Sequence, residues 1–300
     1  MAALISDDDA MPPSLPSPLI DPVRLHALLG AAGGRFDVDA LVECESTSSV
    51  LLERASYGAP AGSVLVADRQ TAGRGRRGRS WLSAPESGLT FSLLWRFEGA
   101  IERLAGLSLA VGVALARALE DCGTNGIALK WPNDILLLEN ERYGKLGGIL
   151  IELQSDRQSD RQSDRQSERK GDQSSTLVVI GVGLNLQLPA VDVAQEAFAH
   201  PAAALALVLS PLPDRHDLLA AILIELASVL DAFTAGGFAA LRNDWLARNA
   251  WQDQPVRLLH DGVVEKEGVC RGADAGGALL IETAKGIERC LSGDLSLRAL

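Results

Sequence analysis

The chain of 300 residues carries 28 Lys and Arg against 39 Asp and Glu, a formal net charge of −11, with 47% apolar and 22% charged residues. Such a length and apolar share can bury a sizeable core in one large domain, or in one large and one small. The acidic balance argues against a protein that coats DNA or an anionic membrane; scattered Cys44, Cys122, Cys270 and Cys290, with no C-x-x-C spacing, argue against a zinc or dithiol site and fit a reducing, cytoplasmic setting.

Residues 1–20 hold Asp7-Asp8-Asp9 and four prolines from Pro12 to Pro18, and read as a disordered arm rather than a secretory signal. No apolar run approaches membrane-spanning length, so no membrane association is expected. Val23, Leu25, Leu28 and Leu29 form one short helical pattern ended by Gly30. Residues 21–40 are too few for a winged helix-turn-helix. From Glu43 onward strands and helices alternate, with strands expected at 63–68, 89–96, 127–130, 134–138, 146–153 and 177–186. Leu104, Leu107, Val111, Ala114, Leu115, Ala118 and Leu119 recur at helical spacing. So do Leu218, Leu219, Ile222, Leu226, Val229 and Leu230, after a cap at Asp214 or Asp217.

Residues 155–170 repeat Ser-Asp-Arg-Gln three times without an apolar residue, which predicts a solvated loop insertion between two strands. After Trp251 the pattern turns to short strands at 255–260, 263–271, 278–282 and 287–291, the signature of a small SH3-like barrel. The whole reads as an α+β layer architecture: a mixed sheet with flanking helices over residues 21–251, then a β-rich domain over residues 252–300.

One stretch departs from the acidic average. Gly73-Arg74-Gly75-Arg76-Arg77-Gly78-Arg79 sets four guanidinium groups on a three-glycine backbone. Glycine lets backbone N–H groups approach an anion and arginine adds forked donors, so the loop suits a phosphate ester or carboxylate. The plainer reading is a basic nucleic-acid-binding segment. Framing by strands and the following Trp81 favour a site loop, with Lys130-Trp131-Pro132-Asn133-Asp134 and Lys145-Leu146-Gly147-Gly148 offering lysines from further elements.

These motifs, together with Gly181-Val182-Gly183-Leu184-Asn185 and the terminal Leu295-Ser296-Leu297-Arg298, resemble the biotin protein ligases in order from about Glu45 to the C-terminus. The resemblance implies a catalytic domain related to class II aminoacyl-tRNA synthetases followed by an SH3-like domain. It further implies formation of biotinyl-5′-AMP from biotin and MgATP, then transfer of biotin to a lysine of a carboxyl carrier protein.

By resemblance, Ser46, Thr47, Ser48 and Gln70 hold the ureido ring. Arg74, Gly75 and Arg76 supply the loop's contacts to biotin. Lys145 binds carboxylate and phosphate together, and Asp134 orients the acceptor lysine beside Lys130. Arg74, Arg76, Arg79, Trp81, Asn133, Gly183 and Asn185 serve the nucleotide, and Arg76 is tied to retention of the adenylate. No all-protein metal cage is visible, so Mg²⁺ would accompany ATP.

Plainer readings stand beside these. Ser46–Ser48 suit a helix N-cap, Trp-Pro-Asn-Asp suits a turn, and the glycine pair suits close packing. Position 48 is Ser where the family usually has Asn, and two larger departures from the family are expected: the segment of about 190–213 lacks the adenine-covering tryptophan of some members and offers Phe198 instead, and the DNA-binding domain of the two-role relatives is missing, which implies a ligase without repressor function. A lipoate protein ligase is the nearest rival. A homodimer is compatible with the resemblance, whereas specific DNA binding is not expected.

Overall fold

The computed structural model describes residues 17–82, 84–155, 175–188, 201–291 and 295–299. The Ser-Asp-Arg-Gln repeat beyond Ser155, Phe198 and nearly all of the N-terminal arm lie outside these residues. The chain adopts a mixed α+β fold organised around two sheets. Strands β1 (Asp37–Cys44), β2 (Ser63–Gln70), β3 (Gly88–Glu98), β4 (Ile127–Lys130), β5 (Asp134–Glu139), β6 (Arg142–Ser155) and β7 (Ser175–Asn185) form a sheet in the order β1-β2-β3-β7-β6-β5-β4. Only the β1–β2 pair is parallel.

Alternation along β3 explains how this sheet takes helices on both faces. Leu89, Phe91, Leu93 and Phe97 belong to the main core with helices α3 (Leu107–Asp121) and α4 (Arg215–Gly236), where Phe97 meets Phe233 edge to face at 5.7 Å. Leu94 belongs to a smaller cluster under α2 (Thr47–Ser56), with Leu51, Ala55, Leu65 and Val179. Gly112 in α3 lets that helix settle on Leu129 and Ile149.

The second sheet runs β11-β10-β9-β8-β12, all antiparallel, from β8 (Pro255–His260), β9 (Val263–Ala273), β10 (Leu279–Thr283), β11 (Gly286–Cys290) and β12 (Leu295–Ala299). It shares one continuous apolar core with the first. At one point the two halves meet backbone to backbone. Gly277, at φ +79°, lies against Gly106 at the start of α3, and its carbonyl accepts the indole N–H of Trp131 at 3.1 Å.

One expectation is borne out, one strand is added and one expectation is corrected. Helix α1 (Pro22–Leu29) forms as expected behind an Asp21 cap, but it buries only Leu25 and Leu29, while Val23 is 79% and Leu28 39% exposed. Strand β1 was not anticipated, because its acidic residues and half-buried edge position blur the alternation that marks inner strands. Helix α4, 22 residues long and containing an 18-residue stretch of mean hydropathy 2.0, does reach membrane-spanning length. It is apolar because it packs in the core, where Leu219, Ile222, Leu226 and Leu230 are fully buried. Its N-cap is Asp214, whose carboxylate accepts from the His216 N–H.

The Gly277 contact yields a test. A Cβ at residue 277 would stand 2.6 Å from the Gly106 Cα. Gly277→Ala is therefore expected to lower stability by about 1–3 kcal/mol, through overpacking and a strained positive φ, in urea unfolding. A neutral result would contradict the proposed close packing.

Candidate active site

One rung of the large sheet builds the floor of the site. Ala67 pairs with Thr90, Thr90 with Gly183, Gly183 with Gly148, Gly148 with Asp134, and Asp134 with Lys130. Side chains along a rung share a face, so this row sets a hydroxyl at one end, charges at the other, and two glycines between. At roughly 4.8 Å per strand, three steps separate Thr90 from Asp134 by about 14 Å. The glycines make the trough. A Cβ at Gly183 would overlap the indole of Trp81, which lies across the strand there, and one at Gly148 would meet both Trp81 and Lys145.

A bulge delivers Lys145 to this row. The β5–β6 register runs Asp134↔Gly148 and Ile135↔Gly147, then slips to Leu136↔Lys145. Regular alternation from Gly148 would turn residue 145 away from the site. The extra residue, Leu146, is buried in the opposite core, and Lys145 is re-aimed onto the Asp134 face.

The hydroxyl end is held by α2 and β2. Ser46 caps α2 by accepting from the Ser49 N–H at 3.4 Å. Gln70 Oε1 accepts from the Thr47 N–H at 2.8 Å, and Thr47 Oγ1 and Ser48 Oγ share the Ser92 hydroxyl at 2.7 and 3.0 Å. The cap reading and the pocket reading of Ser46–Ser48 therefore coexist. Gly181 admits Ser48, as Gly183 admits Trp81, so close packing is one role of that glycine pair.

The Arg/Gly segment folds into a small hairpin. Trp81 N–H donates to Gly73 O at 2.8 Å and Gly75 N–H to Arg79 O at 2.7 Å, around a tip where Arg77 and Gly78 take φ of 62° and 66°. Thr71 and Ala72 N–H groups tie its base to Cys44 and Glu45, just before α2. Arg76 donates to Asn133 Oδ1 at 3.2 Å, and Asn133 in turn donates to Ile149 O at 2.9 Å. Arg74 Nη2 donates to both carboxylate oxygens of Glu152, each at 2.7 Å.

Charge is the most distinctive property of the resulting cavity. Among the described residues its lining includes Arg74, Arg76, Arg77, Arg79, Lys130, Lys145 and Arg298, seven cations, against the single carboxylate of Asp134. Asp134 accepts from Lys145 at 2.6 Å and from Lys130 at 3.4 Å. Burial pushes its carboxyl up, but the two ammonium groups prevail and hold it at about 2. Burial lowers Lys130 to about 8 despite Asp134, with help from Arg298 and Lys145. Arg298, half-buried on β12, is also shifted down by burial and by Arg79 and Arg77. So many like charges in one concavity call for a polyanion. Among the described residues, no group of three or more His, Cys, Asp or Glu is arranged to hold a metal ion.

The cavity gathers Ser46, Thr47, Ser48, Gln70, Arg74, Gly75, Arg76, Arg79, Trp81, Lys130, Asn133, Asp134, Lys145 and Gly183, fourteen of the fifteen anticipated residues. Asn185 is the exception. Its carboxamide donates to Lys145 O at 3.2 Å and Ala203 O at 3.0 Å, which steadies the strand that presents Lys145. Sequence reasoning passed over Thr90, Arg77, Glu152 and Arg298 as site residues, though Arg298 lay inside a motif already noted. The turn reading of Trp-Pro-Asn-Asp also holds, with a cis Trp131–Pro132 bond between β4 and β5.

The lysine–aspartate cluster predicts a pH signature. Lys130 is held below its ordinary 10.5 at about 8, so between these values the unfolded chain binds more protons than the folded one. Stability should therefore rise from pH 8 to 10.5, relative to a Lys130→Met variant, by on the order of 3 kcal/mol. Parallel curves in urea unfolding across that range would refute the assignment. Asp134 acts at the other end: its contribution is complete above its ordinary 3.8 and is lost as pH falls towards 2.

Comparison with known proteins agrees with this geometry. Residues 42–162 match the model of the Biotin/lipoate A/B protein ligase family. The chain is 33% identical to the bifunctional ligase/repressor BirA of Salmonella typhimurium over 95% of this chain and 81% of that protein. It is 33% identical to the biotin–[acetyl-CoA-carboxylase] ligase of Paracoccus denitrificans, over 82% of this chain and 94% of that one. Among solved structures, the biotin protein ligase of Aquifex aeolicus in complex with biotin and ATP superposes with a TM-score of 0.69 at 29% identity, covering 88% of this chain and 99% of that one. A chain with this charged trough, and with relatives matched over most of their lengths, belongs to the biotin protein ligase branch of the biotin/lipoate ligase family.

Proposed function

We infer that this protein activates biotin with ATP to biotinyl-5′-AMP and transfers the biotinyl group to a lysine of the biotin carboxyl carrier protein of acetyl-CoA carboxylase. The observation that carries the reading is the polarity of the trough: neutral hydroxyls and Gln70 at one end, and seven cations around one carboxylate at the other. Biotin has the matching polarity, a cyclic urea at one end of an aliphatic chain and a carboxylate at the other.

In the first step a carboxylate oxygen of biotin attacks the α-phosphorus of ATP, and pyrophosphate leaves. Both partners are anions, so their approach needs donors fixed in advance. We assign Lys145 to bridge the carboxylate and the α-phosphate, and Arg76, Arg79 and Arg298 to balance the phosphate charge. The Arg74 guanidinium lines the same region while paired with Glu152, which leaves it less available to the phosphates. Asn133 orients Arg76, and Asn185 supports Lys145 from behind. Among the described residues no acidic cluster would hold Mg²⁺, so an ion accompanying ATP would be held by the phosphates and would offset the charge of the leaving pyrophosphate.

In the second step the acceptor amine attacks the acyl carbon and AMP leaves. A carboxylate held at about 2 is a poor proton acceptor at neutral pH, so Asp134 positions the incoming amine rather than deprotonating it. Lys130, held at about 8, is the group in this cluster able to exchange a proton near neutrality.

Residues 21–251 read as the class II aminoacyl-tRNA synthetase-like catalytic domain, and residues 252–300 as an SH3-like domain that lends Arg298 to the site. The order of strands and the five-stranded antiparallel sheet support this division. Free thiols at all four cysteines support a reducing, cytoplasmic setting.

The decisive experiment is ATP–pyrophosphate exchange, followed by labelling of a carrier domain. Exchange should depend on biotin and not on lipoate; the reverse dependence would overturn the reading. Lys145→Met should slow exchange by about a hundredfold, the usual cost of one charged transition-state donor. Arg76→Gly should speed release of the adenylate and label bystander proteins. An unchanged adenylate off-rate would remove Arg76 from that role.

A further inference from the structure

Thr90 is 5% exposed, and its Oγ1 is buried without a hydrogen-bond partner while lining the cavity. Its surroundings explain why. The cross-strand neighbours are Ala67 and Gly183, neither with a polar side chain, and on its own strand the same face continues to Gly88 and Ser92. Ser92 is already engaged with Thr47 and Ser48. A buried hydroxyl left unmade is a cost to folding that native cores seldom carry. At a substrate cavity the economical explanation is a bond completed by the ligand.

The position selects which part of the ligand. Thr90 ends the trough rung three strands from Asp134, on the side of Ser92, Thr47 and Gln70, with the Trp81 indole over the adjacent Gly183. The head of biotin would lie there if its carboxylate meets Lys145. A hydroxyl can accept from a ureido N–H or donate to the ureido carbonyl, whereas a thioether sulfur is only a weak acceptor.

We propose that the Thr90 hydroxyl is a biotin-binding group that completes the hydrogen bonding of the ureido ring. The proposal rests on the biotin-ligase reading above, and adds a contact that neither the motifs nor the charge pattern reveal. Thr90 is a binding residue, remote from the atoms that react.

Thr90→Val keeps the shape and removes only the hydroxyl, and calorimetry with biotin, alongside exchange kinetics, tests the idea. The Kd and KM for biotin should rise about tenfold, with KM for ATP and kcat at saturating biotin within about twofold of wild type. Desthiobiotin, which keeps the ureido ring and lacks the sulfur, should weaken by the same factor. Thr90→Ser should stay near wild type. The unliganded valine variant should melt no lower than wild type, since an unpaired buried hydroxyl has been exchanged for a methyl. Unchanged biotin affinity in Thr90→Val, or a loss seen with biotin and not with desthiobiotin, would overturn the proposal while leaving the enzyme's identity intact. Failure of the wild-type protein itself to bind biotin would instead sink the underlying reading and this proposal with it.

Discussion

The buried ion cluster Lys130–Asp134–Lys145 is the constraint on which the site depends. Two ammonium groups and a carboxylate share one end of a sheet rung, and among the described residues the carboxylate is the only anion lining the cavity. Removing one member of a buried cluster leaves an uncompensated charge, typically costing about 3–5 kcal/mol. The fold makes the cluster through backbone devices rather than through side-chain reach. A bulge turns Lys145 onto the right face, a short β4–β5 connection places Lys130 opposite Asp134, and Asn185 grips the strand that carries Lys145.

The same rung shows how a sheet can hold an elongated substrate. Glycine weakens a strand because it adds entropy to the unfolded chain and packs nothing. Here Gly148 and Gly183 sit side by side on neighbouring inner strands, where such a loss is offset by the packed faces on either side. What they provide is height: the trough lies at backbone level, with Trp81 above it and polar groups at both ends. An alanine at either position would fill the space. Direction along the rung then separates recognition of a neutral ring from the chemistry of the carboxylate.

Much of this was legible in the sequence, and the limits were physical. The Arg/Gly loop stood out because four guanidinium groups on three glycines conflict with an acidic chain, and Ser46–Ser48 stood out as a polar start to an apolar helix. Thr90 and Glu152 did not, because a threonine or a glutamate in a strand is ordinary. Only the register, which pairs Thr90 with Gly183 and stacks Glu152 beside the Arg74 loop, gives them meaning. Strand β1 was hidden by its edge position, and the placement of Lys145 by a bulge that no alternation pattern predicts. Helix α4 misled by composition, since core burial and membrane burial ask for the same residues.

The small C-terminal sheet helps to line the same cavity as the large one. Its Gly277 carbonyl holds Trp131 beside Lys130, and its last strand sends Arg298 into a pocket already crowded with cations. Burial is the main reason Lys130 and Arg298 are lowered, and the neighbouring cations add to it, so the crowding alone is unfavourable. It becomes favourable when a triphosphate or an acyl-adenylate arrives. The chain as a whole carries −11, so a nucleotide far from the pocket meets net repulsion. Beyond about 10 Å at moderate ionic strength that repulsion is screened, and within it the local positive field dominates. The positive field is thus concentrated at this cavity, within a chain that is acidic overall.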